Sequence, residues 1–343
     1  MAKQFKIAIA DFINDDLAPE RKILADLGDV VALDAYDETD LAGRIDDADA
    51  IMLYHNVAIT AQTIERLSRC RLIVRCGVGF DNVDCRVAGR RGIPVSNVPD
   101  YGTEEVADSA MAMALSLARG MHPVNSTLRA GIGPYSYTQV VPLQRLRGQV
   151  FAIVGLGRIG TATALRAKAF GMDVAFYDPY RPDGWDKTVG CRRVDRFDDL
   201  LAEAHILSLH CPLTDETRHM INRRTLALMR PGTYLVNTAR GDVVDTAVLP
   251  DALASGHLAG AGIDVLADEP PLDDNPLVVA WRNPDHPAHH RLILNPHCAF
   301  YSEQGLMDMR VKGAAACRNA LLGEPIRNLV NCEELAAAGR GGV

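Results

Sequence analysis

The sequence has no run of about 20 uninterrupted apolar residues, the length that a membrane-spanning helix requires. Its 36 Lys and Arg residues are outnumbered by 44 Asp and Glu residues, which gives a net charge of −8. Nucleic-acid and membrane-surface binders use a basic face to neutralise phosphates, so we expect neither kind of partner. A local basic pocket for a small anion is compatible with this charge balance.

Cysteine pairs at metal-binding spacing are also missing. The eight cysteines contain no CxxC pair, and several lie inside apolar runs, as Cys76 and Cys317 do. This pattern indicates that the cysteines are reduced, packed thiols, as is typical of a cytosolic protein. The first residues enter a short apolar run without the features of a secretory signal. We therefore expect a cytoplasmic protein. A cluster of histidines, His286, His289 and His290, stands in the segment Ala280–Arg291. We expect this segment to be a solvated loop and not a metal site, because no nearby carboxylate or cysteine completes the ligands.

The length and the alternation of the chain predict two domains. With 343 residues and 48% hydrophobic content, the chain can bury two cores. Short apolar runs alternate with helical segments in two series, one starting near Lys6 and the other near Gln149. This alternation is typical of doubly wound parallel sheets, so we predict an α/β fold with two such domains and a cleft between them. One domain is predicted to comprise residues 1–98 and 303–343, and the other residues 99–302.

A glycine-rich turn follows the apolar run QVFAIV. It consists of Gly155, Leu156, Gly157, Arg158, Ile159 and Gly160, and the helical run TATALRAKAF comes next. The glycines permit a tight turn, a close approach to a pyrophosphate and close helix packing, while the helix amino end favours an anion. Asp178 ends the following strand, 23 residues after Gly155, where a carboxylate can accept both ribose hydroxyls. We therefore predict NAD as cofactor and a Rossmann domain, although Arg181 leaves some use of NADP open.

Three polar residues stand at the ends of later strand-like runs. They are Arg240 in VNTARGDVVD, Glu269 in GIDVLADEPP and His297 in LILNPHCAF. A guanidinium can hold a carboxylate in bidentate fashion and polarise a neighbouring carbonyl. An imidazole can exchange a proton near neutral pH, and a carboxylate on its other nitrogen fixes the tautomer. This set predicts reduction of a 2-keto acid, with Arg240 binding the carboxylate and His297 as acid and base, supported by Glu269.

From Lys6 to about Asn331 the chain resembles the D-isomer-specific 2-hydroxyacid dehydrogenase family. The shared motifs are the turn 155–160, the Asn237–Gly241 segment, Asp264 followed by Glu269 and Pro270, and Asn295-Pro296-His297. The resemblance implies a flavodoxin-like substrate domain beside the Rossmann domain. It also implies hydride transfer between nicotinamide and C2 of a small 2-keto or 2-hydroxy acid of D configuration.

The same resemblance implies further residues around the cofactor. It places Asp264 near the nicotinamide amide. The other residues that it assigns to the lining of the cofactor are Cys211, Pro212, Thr217, Thr238 and Ala239.

Within this family the chain is most similar to the C-terminal binding proteins, which are NAD-dependent corepressors. The stretches LIVRCGVGFDNVD and HCAFYSEQ carry this likeness. Those proteins have Trp beside the catalytic histidine, where this chain has Phe300, an aromatic wall without the indole donor. The likeness leaves a second function open, that of an NAD(H)-responsive scaffold for partner proteins.

In the first domain the resemblance points to a loop and two side chains near the substrate. Backbone N–H groups of Val78 and Gly79 are expected to bind the substrate carboxylate. Arg75 either points inward as a second cation or pairs with an aspartate, Asp81 or Asp84, and both alternatives stay open. His55 is expected to line the cleft, because the corepressor-like proteins also have a histidine there.

We also expect a homodimer. The segment Thr103–Arg119 is predicted to form a helix rich in Ala and Met, and an irregular arm follows it. Both would be exposed in a monomer, and exposed apolar surface of this kind usually marks an interface.

Overall fold

The structure of the protein is a computed structural model that describes residues 5–339. Contacts divide the chain into two compact units. Unit 1 comprises the described residues up to Gly102 together with those from Ser302 onward, and unit 2 comprises Thr103–Tyr301. The sequence predicted domain boundaries at residues 98 and 303. That the two units are separate domains stays a prediction.

The strands alternate with helices along most of the chain. The strands are β1 Phe5–Ile9, β2 Gly28–Ala32, β3 Ala50–Leu53, β4 Ile73–Arg75, β5 Val95–Asn97, β6 Val150–Val154, β7 Asp173–Tyr177, β8 Arg192–Arg193, β9 Ile206–Leu209, β10 Thr233–Asn237, β11 Leu258–Ile263 and β12 Leu292–Leu294.

The helices differ widely in length. They are α1 Ala18–Leu24, α2 Ala61–Ile64, α3 Cys85–Arg90, α4 Thr103–Ala118, α5 Met121–Arg129, α6 Arg158–Ala169, α7 Trp185–Val189, α8 Phe197–Glu203, α9 Arg223–Leu226, α10 Leu249–Ala254, α11 Pro276–Arg282, α12 Ala288–Arg291, α13 Glu303–Leu322 and α14 Cys332–Ala337. Short 3₁₀ helices occupy Glu38–Leu41, Tyr137–Val140, Gly241–Val243 and Thr246–Val248. Among the helices of residues 5–339, none is both long and apolar enough to cross a membrane.

Unit 1 is built on a five-stranded sheet in the order β2-β1-β3-β4-β5. Every pairing is parallel. This is the flavodoxin-like order, in which the winding direction switches between β1 and β3. Loops at the carboxyl ends of these two strands, after Ile9 and Leu53, are therefore the place where such a sheet offers a ligand crevice.

The long helix α13 returns the chain to unit 1 and is attached there by a partly buried ion cluster. Arg310 donates to both carboxylate oxygens of Glu20, at 2.6 and 2.7 Å, and to both of Asp15, at 2.6 and 2.8 Å. Glu20 is completely buried. Because each charge is matched by bidentate hydrogen bonds, the cluster offsets much of the cost of removing these groups from water.

Unit 2 contains a seven-stranded sheet in the order β12-β11-β10-β9-β6-β7-β8. All of its pairings are parallel as well. The order is that of a Rossmann sheet, and the winding switches between β6 and β9. Two parallel-sheet α/β units confirm the predicted fold class.

Helix α4 corrects one reason for expecting a homodimer. It packs on α6, β10 and β11 of its own unit. Its buried residues are Val106, Ala107, Ala110, Met111, Met113, Ala114, Leu117 and Ala118. The expectation that this helix is exposed in a monomer was wrong, because the sheet of the same chain covers its small side chains. The arm that follows does expose apolar side chains, with Tyr135 96% and Tyr137 79% exposed.

The cysteines are free thiols, as predicted, but not all of them are packed. Cys76, Cys191, Cys211 and Cys317 are buried, whereas Cys298 and Cys332 are exposed.

Candidate functional site

The glycine-rich turn lies at the point where the winding of the unit 2 sheet switches. Gly155 directly follows β6 and has a φ of +87°, a conformation that L side chains rarely adopt. A Cβ there would lie 2.8 Å from the backbone nitrogen of Cys211 and 2.9 Å from its Cα. The loops after β6 and β9 are therefore in backbone contact, and only glycine fits between them.

Asp178 at the end of β7 fastens this turn from the other side. Its Oδ2 accepts the Leu156 N–H at 2.9 Å and the Arg181 Nε–H at 3.2 Å, and its Oδ1 accepts the Tyr180 N–H at 3.0 Å. A carboxylate offers about four acceptor positions, so one stays available to a ribose hydroxyl. Arg181 also lies over the Trp185 ring, 5.2 Å from its centroid. Arg181, the cation that left the use of NADP open, is thus bonded to Asp178 itself.

Two buried polar atoms near this edge fit a bound dinucleotide. Within the part of the chain that the structure describes, neither Thr238 Oγ1 nor His210 Nδ1 has a hydrogen-bond partner. Buried polar atoms rarely stay unpaired, so a ligand is the simplest partner for them. Helix α6 begins at Arg158, which Ile159 follows, so its amino end lies at the turn. The amino end of a helix favours an anion such as a pyrophosphate. The residues present therefore suit NAD.

The segment from Cys211 to Thr217 forms a closed turn after β9. The Thr217 hydroxyl donates to the carbonyl of Pro212 at 2.7 Å and accepts the Thr214 N–H at 2.8 Å. Burial raises the pKa of the Cys211 thiol to about 12, so this thiol is neutral. Contacts of Cys211, Pro212, Thr217 and Ala239 with the cofactor stay predictions.

His297 and Glu269 form a hydrogen-bonded pair at the same edge of unit 2. The imidazole Nδ1 lies 2.6 Å from Oε2 of Glu269. The other carboxylate oxygen, Oε1, accepts the backbone N–H of Leu266 at 2.9 Å. Glu269 is therefore fixed through both oxygens, and it orients the ring so that Nε2 is the nitrogen able to exchange a proton.

Asp264 holds the backbone turn that carries His297. The φ of His297 is +48°, which is uncommon for a residue other than glycine. The carbonyl of Asp264 accepts the His297 N–H at 2.7 Å, and its carboxylate accepts the N–H groups of Cys298 at 3.0 Å and Ala299 at 3.1 Å. Burial raises the pKa of Asp264, although the N–H of Ala299 and the charge of His297 act against this. Its predicted contact with the nicotinamide amide stays a prediction.

Arg240 follows β10 in a loop that is shaped by Asn237. The side-chain amide of Asn237 accepts the Ala239 N–H at 3.0 Å and donates to the carbonyl of Arg240 at 2.9 Å. A Cβ on Gly241 would lie 1.9 Å from the carbonyl carbon of Leu266. The loop with Arg240 is therefore in backbone contact with the loop that holds Glu269, so the arginine and the His–Glu pair share one edge.

Phe300 forms the aromatic wall that was predicted beside His297. The two ring centroids are 6.1 Å apart and the planes meet at 84°, an edge-to-face arrangement. Phe300 is 7% exposed. Its contact with a substrate stays a prediction.

The candidate residues of unit 1 gather at the carboxyl ends of β3 and β4. The carbonyl of Val78, between Gly77 and Gly79, accepts from the Asn97 amide at 2.6 Å. The guanidinium of Arg75 lies over Gly77, where a Cβ would be 1.4 Å from Nη1. Asp84, one of the two proposed partners of Arg75, caps α3 by accepting the Val87 N–H at 2.9 Å. Substrate contacts of Arg75, Val78 and Gly79 stay predictions.

His55 follows β3 and packs against an aromatic ring. Its centroid is 4.4 Å from that of Phe12. The backbone around it is held by the buried carboxylate of Asp11, which accepts the N–H groups of Tyr54, Asn56 and Val57 at 2.7, 2.7 and 3.3 Å. The role of His55 toward a substrate stays a prediction.

Sequence reasoning missed two features of unit 2. Tyr180 after β7 donates its hydroxyl to Glu216 after β9, which joins the two loops beside Asp178. His210 is half-buried, and burial of its ring lowers its pKa to about 3, so this imidazole is neutral and bonds through Nε2 to the Ser208 hydroxyl at 2.9 Å. The sequence carries no signal for the first pair, because 36 residues separate its members. A polar residue directly after β9 was a signal for the second.

The segment Ala280–Arg291 is not the solvated loop that was expected. Most of it belongs to helices α11 and α12, which bury Ala280 and Ala288. The imidazoles have structural partners here, since His289 Nδ1 lies 2.7 Å from the Trp281 carbonyl and His290 Nδ1 lies 2.8 Å from the Ser126 hydroxyl. Over residues 5–339 no group of three or more His, Cys, Asp or Glu side chains is arranged to hold a metal ion.

The Rossmann order, the glycine turn and Asp178 define a dinucleotide-binding protein whose sheet also carries a histidine–glutamate pair. Residues 111–299 match the family model described as the NAD binding domain of D-isomer specific 2-hydroxyacid dehydrogenases. The chain belongs to this family, whose cofactor is NAD, and the predicted resemblance is confirmed.

Individual relatives agree with this assignment. The chain is 33% identical over 326 residues to D-3-phosphoglycerate dehydrogenase of Methanocaldococcus jannaschii, a match that covers 95% of the chain and 59% of the relative. It is 34% identical over 322 residues to C-terminal-binding protein 1 of Caenorhabditis elegans, with 92% of the chain and 43% of the relative covered. The chain thus spans about half the length of these curated relatives.

A solved structure of the family has the same fold over nearly its whole length. D-lactate dehydrogenase from Aquifex aeolicus, complexed with NAD and lactic acid, matches with a TM-score of 0.82 and 27% identity. The match covers 96% of this chain and 98% of that one.

Proposed function

We propose that the protein is an NAD-dependent dehydrogenase that moves a hydride between nicotinamide and C2 of a small 2-keto or 2-hydroxy acid. One observation carries the proposal: His297 Nδ1 lies 2.6 Å from Glu269 at the sheet edge that also bears the dinucleotide turn. Support also comes from the D-lactate dehydrogenase neighbour, which was solved with NAD and lactic acid. The D configuration of the product follows from the family alone.

His297 is the proposed acid and base. In the direction of reduction, protonated Nε2 donates its proton to the C2 oxygen while a hydride reaches the C2 carbon. In the direction of oxidation, neutral Nε2 accepts that proton from the hydroxyl. Glu269 stabilises the imidazolium and fixes the ring, as a carboxylate does in other His–carboxylate pairs.

Arg240 is the proposed substrate-binding residue. Its guanidinium holds the carboxylate of the acid and polarises the C2 oxygen, which favours the charge that develops there. The backbone N–H groups of Val78 and Gly79 stay the predicted donors of unit 1 to the same carboxylate. Bound NAD supplies or accepts the hydride.

The proposal is tested by measuring initial rates of NADH oxidation with glyoxylate, hydroxypyruvate, a branched 2-keto acid and a 2-keto diacid. We expect turnover with one or two of these acids. His297→Ala should lower it by about 10²- to 10⁴-fold, the usual contribution of a general acid, while NADH binding survives. The panel also identifies the substrate, a choice among these acids that the sequence left open.

A matched control is His205→Ala. His205 precedes β9 at the opposite edge of the same sheet and packs edge-on against Tyr234, with 5.6 Å between the centroids. This variant should keep the wild-type rate. Turnover that persists in His297→Ala would contradict the assignment of this residue as acid and base.

A second candidate function is an NAD(H)-responsive scaffold that recruits partner proteins. The similarity to C-terminal-binding protein 1 favours it. Lack of turnover with every acid of the panel, together with tight NADH binding, would support this function over the dehydrogenase. The predicted homodimer is compatible with both functions. Its remaining support is the exposed arm around Tyr135 and Tyr137.

A further inference from the structure

A pocket of about 840 Å³ opens at the amino edge of the unit 1 sheet. Its walls come from residues 67–71, which lead into β4, residues 91–94, which lead into β5, and residues 320–326 after α13. Ligand crevices of doubly wound sheets lie at the carboxyl edge, which is the opposite one. The pocket is therefore separate from every candidate site residue described above.

Three arginines line this pocket, which we call the basic pocket. They are Arg69, Arg71 and Arg91, and one carboxylate, that of Glu324, accompanies them. The chain as a whole carries a net charge of −8. A local excess of positive charge on such a chain attracts anions to this place.

Two of the arginines keep their charge uncompensated by a carboxylate. Arg69 pairs with Asp49 at 3.2 Å. Arg91 donates instead to two carbonyls, those of Glu65 at 2.8 Å and Leu67 at 2.9 Å. The guanidinium of Arg71 lies over the Phe5 ring, 5.0 Å from its centroid. Among the described residues no carboxylate pairs with Arg71 or Arg91, so both can bind an external anion.

The walls and the volume indicate the kind of anion. Guanidinium groups bind phosphates in bidentate fashion, and a neutral aromatic or carbonyl partner holds each of these two in place without cancelling its charge. Apolar wall is supplied by Leu67, Ile93 and Pro325. The space greatly exceeds that of inorganic phosphate, whose oxygens would also leave the apolar wall unused. We propose that the basic pocket binds a small phosphate monoester, with Arg71 and Arg91 on the phosphate and the organic part against this wall.

The basic pocket and the predicted substrate loop lie at opposite ends of the same two strands of unit 1. Strand β4 is three residues long, and it joins residues 67–71 to the Gly77–Gly79 loop. Strand β5 joins residues 91–94 to Asn97, which bonds to the Val78 carbonyl at 2.6 Å. Three residues of strand span about 10 Å, which is the approximate separation of the two ends of each strand.

The test is a titration of the full chain with phenyl phosphate, a monoester with an apolar organic part, followed by calorimetry, with NAD present at saturation to fill the dinucleotide turn. Ionic strength is held constant with sodium chloride. We expect saturable binding, which Arg71→Gln and Arg91→Gln each weaken about tenfold, the value of a charge-assisted hydrogen bond. Arg90→Gln removes the same charge from an exposed neighbour outside the pocket and should leave the affinity unchanged.

Each outcome decides the proposal. Absence of binding would overturn it, and so would binding that survives in Arg71→Gln or weakens equally in Arg90→Gln. If Arg91→Gln unfolds because its two carbonyl bonds are lost, Arg71→Gln still decides, since the guanidinium of Arg71 has a ring face and no hydrogen-bond acceptor as its partner within residues 5–339. Equal affinity for inorganic phosphate and the monoester would overturn the role of the apolar wall. None of these results depends on turnover, so a failed dehydrogenase assignment would be recognised separately.

Discussion

The carboxyl edges of the two sheets are built by the same device. In unit 1, Asp11 follows β1 and accepts N–H groups of Tyr54, Asn56 and Val57, in the loop after the neighbouring strand β3. In unit 2, Asp264 follows β11 and accepts those of Cys298 and Ala299, in the loop after the neighbouring strand β12. Each buried carboxylate thus fixes the loop of an adjacent strand through its backbone.

The two edges differ in what the fixed loop presents. The unit 1 loop presents His55, whose ring packs on Phe12 at 4.4 Å. The unit 2 loop presents His297, whose ring is bonded to Glu269 at 2.6 Å. A carboxylate that accepts from the backbone only positions a loop. A second carboxylate bonded to the ring is what prepares an imidazole for proton transfer.

The largest expected effect comes from removing each backbone-bonded carboxylate. Asp264→Ala leaves the N–H groups of Cys298 and Ala299 without this acceptor, which should lower the free energy of unfolding by about 2–4 kcal/mol. Asp11→Ala should cost at least as much, because three groups lose their acceptor. Urea denaturation measures both. Asp183→Ala, which changes a fully exposed aspartate, should stay within about 0.5 kcal/mol of wild type.

The same two variants separate the roles of the edges in kinetics. Asp264→Ala should lower kcat, because His297 loses the turn that holds it. Asp11→Ala should mainly raise KM, because it loosens the predicted substrate side of unit 1. A fall in kcat of equal size in both variants would remove the distinction between the two edges.

A smaller effect is expected at another buried carboxylate, that of Asp178. Asp178→Ala removes the ribose acceptor and releases Arg181, which can then pair with a 2′-phosphate. The ratio of kcat/KM for NADH to that for NADPH should fall about tenfold or more, since one charge-assisted hydrogen bond is lost. Initial rates with both cofactors measure this ratio. An unchanged ratio would show that Asp178 only supports the turn through Leu156.

The smallest expected effect is on the pH dependence of stability. Burial raises the pKa of Asp11 above its usual value near 3.8, against the influence of its three N–H donors. The folded chain therefore holds this proton more tightly than the unfolded chain. The resulting stabilisation is complete below the usual value and is lost as the pH rises through the raised one.

Asp11→Asn removes this titration. Its stability should fall less steeply than that of wild type as the pH rises from the usual aspartate range. Urea midpoints of both proteins along that range give the difference, in which other carboxyls such as Asp15 cancel. Parallel curves for the two proteins would contradict a raised pKa at Asp11.

The parts that the sequence predicted well are those whose residues are neighbours in the chain. The turn from Gly155 to Gly160 could be recognised from six consecutive residues, and Asp178 follows one helix and one strand later. The alternation of strands and helices likewise predicted both parallel sheets, because each strand pattern is local.

The errors fall where distant segments meet. Helix α4 was expected to be exposed in a monomer because its sequence is rich in Ala and Met, but β10 and β11 cover it. Helix α2 likewise ends at Ile64, and the N–H of Ser68 bonds to the carbonyl of Asp46, a residue from an earlier part of the chain, at 2.9 Å. Burial and such competing hydrogen bonds depend on partners that no local pattern contains.

The sequence by itself determined the fold class and the cofactor turn. It also identified Arg240, Glu269 and His297 as candidates, because residue type and position at a strand end can both be recognised from the sequence. Tertiary structure alone decided that Glu269 is bonded to His297, that Asp264 holds its turn, and that two arginines of the basic pocket keep an uncompensated charge. These are matters of distance between residues far apart in sequence, and only folding brings them within hydrogen-bond reach.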